Sequence, residues 1–112
     1  MKNVKKLGAQ GDVIFRRVDK LPAGVRPSEE KRPIVAHSET GHHHVAQGGT
    51  LYETSDPLIA FLKIDRPTVV KHERAWDTHE SLKLLNEGGG EVIYEIRRQR
   101  QRGPQGWERV ND

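Results

Sequence analysis

The chain has 112 residues, a length that suits one domain with a modest core. Hydrophobic residues make up 33% of it and charged residues 31%, yet its apolar runs are too clear for a fully disordered chain. The 19 basic and 16 acidic side chains leave a charge of +3, which permits a polyanionic partner without requiring one. With no cysteine, disulfides and thiolate metal sites are excluded, which is typical of a cytoplasmic protein.

The sequence also argues against a membrane protein. The longest strongly apolar stretch, residues 58–62, is far too short to span a bilayer. The lysine-rich residues 1–7 have no apolar segment behind them, so they do not resemble a secretory signal. We therefore expect a cytoplasmic protein without a membrane partner.

Short strands separated by glycine and proline turns are expected along most of the chain. Three prolines make residues 21–33 a surface loop, because proline fixes φ and lacks an N–H donor. Gly48-Gly49 predicts a hairpin turn. The predicted strands, which share β-branched or alternating apolar residues, are 13–18, 33–37 continuing into 42–46, 50–53, 58–64, 68–72, 81–85 and 91–99.

Residues 81–85 allow two interpretations. Asp77 and Glu80 have the spacing of a helix capping box and Gly88 could end a helix, so a helix over 78–87 competes with the strand. We favour the strand, because residues 87–90 would then form a hairpin into the strand 91–99. In that last strand Val92, Tyr94 and Ile96 share one face, since side chains alternate along a strand.

Seven or eight short strands with turns at intervals of roughly ten residues favour an all-β barrel or sandwich. We expect one domain over residues 1–112, with a polar N-terminus and a C-terminal tail over 102–112. The residue 58–64 strand is the most apolar and is expected at the centre.

Histidine is the side chain that the sequence concentrates most. Four of the six histidines lie within eight residues, and the other two follow about thirty residues later. Imidazole is the commonest metal ligand and the usual acid or base near neutral pH. The histidines are His37, His42, His43, His44, His72 and His79.

A divalent metal site is the first hypothesis for this cluster. His42 and His44 would share one face of a strand, whereas His43 would lie on the other. His72 and His79 are the further candidate ligands, with Glu39 or Glu53 as a carboxylate. Such a set suits Fe(II), Mn(II), Ni(II) or Zn(II) with an open coordination position. His42, His44 and His72 are then the candidate catalytic residues.

Two readings without a metal remain open. A pair of histidines could act as acid and base in phosphodiester cleavage, with Thr40 adding a hydroxyl and Lys71 or Arg98 holding the phosphate. Alternatively, the histidines could be solvated surface residues with no common site.

An arginine row follows in the last strand, with four arginines among residues 97–102. Alternation would bring Arg98, Arg100 and Arg102 to one face, where guanidinium groups could bind phosphates. Lys71, Arg98 and Arg100 are therefore the candidate residues for binding a small anionic ligand or nucleic acid. For the row itself we favour the competing explanation, a charged strand at a sheet edge that prevents aggregation.

The His42-x-His44 pair followed by His72 or His79 resembles the pattern of the cupin family of small β-barrels. This resemblance implies a cupin-like barrel whose histidines hold a metal. The family's glutamate normally follows the pair by a few residues, where this chain has Gln47, and the Pro-x-Gly segment before the later histidine is missing.

The chain also resembles small uncharacterised bacterial and phage-borne β proteins. Thr40 to His44, His72-Glu73 and Arg98-Gln99-Arg100 match their outline, which implies no particular activity. From the residues, the leading hypothesis is a metal-binding protein, as a hydrolase or lyase of a phosphate-containing anion. The alternative is a non-catalytic module that binds nucleic acid or protein through the arginine row. The sequence leaves a homodimer open.

Overall fold

In the computed structural model, residues 1–29, 34–36, 44–72, 81–98, 100–103 and 106–109 are described. All regular structure in these ranges is β, as the alternating sequence predicts. The strands are β1 (Lys2–Val4), β2 (Leu7–Gln10), β3 (Val13–Val18), β4 (Arg26–Pro27), β5 (Ile34–Ala36), β6 (His44–Ala46), β7 (Thr50–Glu53), β8 (Ile59–Ile64), β9 (Thr68–His72), β10 (Leu82–Leu84), β11 (Val92–Arg98), β12 (Arg100–Gly103) and β13 (Gly106–Arg109).

Two sheets pack face to face. Within the described ranges, the five-stranded sheet has the order β1-β10-β9-β6-β5 and the six-stranded sheet has the order β2-β3-β11-β8-β7-β4. β1 pairs with β10 in parallel, and the other described pairings are antiparallel. β12 and β13 pair with each other as a separate hairpin.

The core lies between the two sheets. Alternate residues of each strand face inward, so each sheet contributes one face of apolar side chains. The fully or nearly fully buried members include Phe15, Leu62, Ile64, Tyr94 and Ile96 from one sheet, and Val4, Val70, Leu82 and Leu84 from the other. Burying each large side chain of this kind stabilises the fold by about 1.5–3 kcal/mol.

Several predicted elements are confirmed. β3 and β9 have the predicted bounds, and β8 lies between β11 and β7 in the interior of its sheet. Val92, Tyr94 and Ile96 share the buried face of β11. Residues 82–84 are a strand and the helical alternative is wrong, because Leu82 and Leu84 are both buried with Lys83 between them.

Both glycine-rich hairpins were predicted wrongly. The turns at 48–49 and 87–90 each lead from the five-stranded to the six-stranded sheet, so β6 does not pair with β7 and β10 does not pair with β11. Gly49 has φ +85°, and a Cβ atom there would lie 2.8 Å from the Lys63 carbonyl oxygen. The crossover therefore needs glycine for close approach as well as for its backbone angle.

The strand count and the tail also differ from the sequence expectation. The described ranges contain thirteen strands rather than seven or eight, with β1, β2 and β4 among those not predicted. Part of the predicted tail 102–112 belongs to the β12–β13 hairpin. The described strands form a sandwich of two open sheets, so the sandwich is confirmed and the closed barrel is not.

Tyr94 ties the two sheets together at the end of the core near β1. Its hydroxyl lies 2.6 Å from the carbonyl oxygen of Leu85, to which it donates, and 3.1 Å from that of Val4. Burial raises the pKa of Tyr94 and outweighs the opposing influence of the Arg17 charge, which keeps the hydroxyl protonated as a donor.

Replacing Tyr94 with phenylalanine should lower the free energy of unfolding by about 1 kcal/mol, because the partly buried Leu85 carbonyl loses its donor. Urea denaturation measures this change. Tyr52→Phe is the matched control, since Tyr52 is only half-buried and its ring, 5.6 Å from the Lys63 ammonium, is retained. Equal losses in both variants would contradict the role assigned to Tyr94.

Candidate functional site

One end of the interior between the sheets is polar. Gln10, Asp12, His44 and Arg98 are all buried there, and we call these four residues the polar end. Gln10 and Arg98 both pair with Val13, one from β2 and the other from β11, so they occupy one row across the six-stranded sheet. Buried polar side chains need partners, which Gln10 and His44 find in hydrogen bonds and Asp12 and Arg98 find in an ion pair.

Gln10 links the two sheets through its amide group. Its Nε2 donates to the Val70 carbonyl oxygen at 3.1 Å, and its Oε1 lies 2.8 Å from His44 Nδ1. An amide oxygen can only accept, so Nδ1 carries the proton and donates. In the neutral ring Nε2 is then the nitrogen with a lone pair, the one able to bind a metal or accept a proton.

The strand register brings two of the predicted histidines to one place. β6 pairs antiparallel with β9 so that His44 is opposite His72, and Ala46 is opposite Val70. Ala46 belongs to the core, and His44, two residues before it on β6, is also buried. The register therefore brings the backbone of residue 72 alongside that of residue 44 at the edge of the polar end.

Asp12 and Arg98 form a buried charged pair. Arg98 Nε lies 3.9 Å from Asp12 Oδ2, and the two side chains are 6% and 1% exposed. The backbone N–H of Arg98 donates to the Leu58 carbonyl oxygen, which holds the end of β11 in place. An interior ion pair is expensive to desolvate, so its geometry must keep both charges compensated.

The model of the DUF8820 family, a domain of unknown function, matches residues 9–99 of the chain. The chain belongs to the DUF8820 family. No curated protein and no solved structure matches it.

The family match includes all four residues of the polar end, together with His72. It begins inside β2 and extends just beyond β11, so the paired strands β12 and β13 lie outside it. Within the described ranges, this DUF8820 domain has no helix long and apolar enough to cross a membrane.

Several of the predicted ligands, His42, His79 and Glu39, lie outside the described residues. His37 and His43, which were not predicted as ligands, lie outside them as well. Among the described side chains, no three histidine, aspartate or glutamate residues are grouped closely enough to hold a metal ion. His44 is fully buried, so the solvated-surface interpretation is wrong for this histidine.

The predicted anion-binding residues do not form a single row on the surface. Arg98 is buried at the polar end, whereas Arg97 is about half exposed and pairs with Glu95. Lys71 is exposed on the face of β9 away from the core, and Arg100 lies in β12 opposite Arg109. β11 lies between β3 and β8, so the edge-strand explanation is wrong for this part of the row.

Sequence reasoning did not identify Gln10 and Asp12 as site residues. The available signal was Gly11, which has φ +60° and begins a two-residue turn between β2 and β3. A Gly-x turn of this kind predicts a paired strand before it as well as after it. Across a two-residue turn Gln10 would be directly opposite Val13, so the two side chains would share the inner face.

Separating the buried charges at Asp12 and Arg98 should destabilise the domain strongly. We expect Asp12→Asn and Arg98→Gln each to lower the free energy of unfolding by about 3 kcal/mol, because each removes one charge from a buried ion pair. The double variant should lose much less than the sum of the two single variants.

Urea denaturation of the four proteins measures this coupling. Arg66→Gln is the matched control, because Arg66 and its partner Asp65 are both largely exposed, and we expect no measurable change. Additive losses at Asp12 and Arg98 would show that the two side chains are not coupled.

Proposed function

We propose that this DUF8820 domain binds a divalent metal ion at the polar end, with His44 and His72 as ligands. The register that sets His44 opposite His72 is the observation that carries the proposal. His42 and His79, predicted as further ligands, would complete the site. A metal held by histidine nitrogens without thiolates would be Fe(II), Mn(II), Ni(II) or Zn(II).

The hydrogen bond from His44 to Gln10 supports this assignment. Metal-binding histidines commonly donate their second ring N–H to an oxygen acceptor, which sets the tautomer and orients the ring. Here Nδ1 donates to Gln10 Oε1 at 2.8 Å, and Gln10 is itself held by the Val70 carbonyl. The ring of His44 is therefore oriented before any ligand binds.

The chemistry that fits this site is hydrolysis or elimination on an anionic, phosphate-containing substrate. An open metal position would lower the pKa of bound water and supply a nucleophile at neutral pH. Of the described side chains predicted to hold an anion, Arg98 is the one at the polar end. Lys71 lies on the other side of β9, so we assign charge neutralisation to Arg98, with Arg100 as the second candidate.

Metal analysis tests the proposal directly. Protein purified without a histidine tag should retain about one metal ion per chain after dialysis. Free metal at 100 times its dissociation constant should raise the free energy of unfolding by about 2.7 kcal/mol, and a chelator should reverse this gain. We expect His72→Gln and His44→Gln to abolish both the bound metal and the stabilisation.

His43→Gln is the matched control, because the alternation of a strand would set His43 on the face away from His42 and His44. Retained metal in this variant and loss in His72→Gln would support the assignment. Metal-free wild-type protein, or equal loss in all three variants, would refute it. Metal-free protein whose binding to RNA or DNA weakens steeply with salt would instead support the nucleic-acid-binding alternative.

A further inference from the structure

A cavity of about 550 Å³ lies on the outer face of the six-stranded sheet. The loop 20–25, which follows β3, forms one side of it, and residues 54–56 form another. Outward-facing side chains of β8 and β11 also line it. The polar end faces the space between the sheets, so this cavity is a separate site. Its volume falls in the range of small-molecule sites.

The cavity has an apolar floor. Leu62 belongs to the core, so alternation along β8 puts Phe61 and Ile59 on the outer face. Phe61 is nevertheless only 5% exposed. Val18, Pro22 and Val25 line the same cavity, and their position explains how an outward-facing aromatic ring is withdrawn from water.

A charged group lies beside this apolar floor. Glu95 Oε1 accepts hydrogen bonds from Arg97 Nε at 2.7 Å and from Arg16 at 3.2 Å. Burial raises the pKa of Glu95, but the hydrogen bonds and charges of Arg97 and Arg16 outweigh it and lower the pKa below its usual range. The carboxylate is therefore ionised and shared between two guanidinium groups.

The cations around the cavity outnumber the acids. Lys20 and Arg97 line the cavity and balance the charges of Glu95 and Asp56. Arg16, which pairs with Glu95 beside the cavity, leaves a local surplus of one positive charge. Asp56 already accepts a hydrogen bond from the Leu58 backbone at Oδ1. Arg97 is 55% exposed and uses Nε for Glu95, so its terminal N–H groups can bind another anion.

We propose that this cavity binds a small amphipathic anion. The apolar body would pack on Phe61 and Ile59, and the carboxylate or phosphate would bind Arg97 and Lys20. A ligand of this class matches both the apolar floor and the surplus charge. The inference does not depend on metal binding at the polar end.

A matched pair of probes tests the charge requirement. 2-Naphthoate and 2-naphthylmethylammonium have the same aromatic body and opposite charges. In ¹H–¹⁵N spectra, 2-naphthoate should shift the amide signals of residues 18–25, 54–61 and 95–97, with a dissociation constant of about 1 mM or below. 2-Naphthyl phosphate, compared with 2-naphthoate, identifies the preferred anionic group. Equal binding of the cation, or shifts confined to other residues, would overturn the proposal.

Variants test the position of the ligand. Arg97→Gln should weaken 2-naphthoate binding about tenfold, the loss expected for one charge-assisted hydrogen bond. Ala23→Trp should abolish binding by filling the cavity that Ala23 lines. Arg26→Gln is the matched control, because Arg26 is exposed and pairs with Glu53 away from the cavity. If Arg97→Gln does not fold, Lys20→Gln replaces it. Unchanged binding in Lys20→Gln and Ala23→Trp would exclude this site.

Discussion

Both sheets bury one face on a single shared core, and this constraint determines where the polar chemistry of the domain can lie. Because side chains alternate along each strand, the arrangement that buries Ala46 also turns residue 44, two positions before it, into the interior. At the polar end that position holds His44 rather than an apolar residue. Gln10 then has to reach across from the other sheet to satisfy both His44 and the Val70 carbonyl.

Strands were predictable from the sequence where the pattern is local. Residues 13–18 and 68–72 are continuous runs of β-branched and alternating residues bounded by turns, and their limits were predicted correctly. The sequence did not predict that the turns at 48–49 and 87–90 lead from one sheet to the other. A glycine turn indicates that the chain reverses, but it does not indicate which strand the next segment pairs with. Position 49 needs glycine because the Lys63 carbonyl oxygen lies too close for a Cβ atom. That close approach exists only once the sheets have assembled.

In the candidate site, too, local features were predictable from the sequence and long-range pairing was not. The histidines could be selected by their concentration. The pairing of His44 with His72 depends on the register of β6 and β9, and the chain forms two strands of the other sheet, β7 and β8, between them. Arg98 was grouped by alternation with a surface row, although the same alternation continues the buried series of Tyr94 and Ile96. Alternation shows which side chains share a face of a strand. Which of the two faces is buried depends on where the partner sheet packs.

The polar end is difficult to explain by folding stability alone. Apolar side chains of similar volume commonly replace a buried ion pair at no loss of stability, and often with a gain. The domain has such an apolar solution nearby, where Phe15, Tyr94 and Ile96 fill the same interior. Retaining Asp12, Arg98 and His44 there costs desolvation free energy that hydrogen bonds only partly offset. The metal binding that we propose at the polar end would account for this cost, because apolar side chains in the same positions would stabilise the fold at least as well.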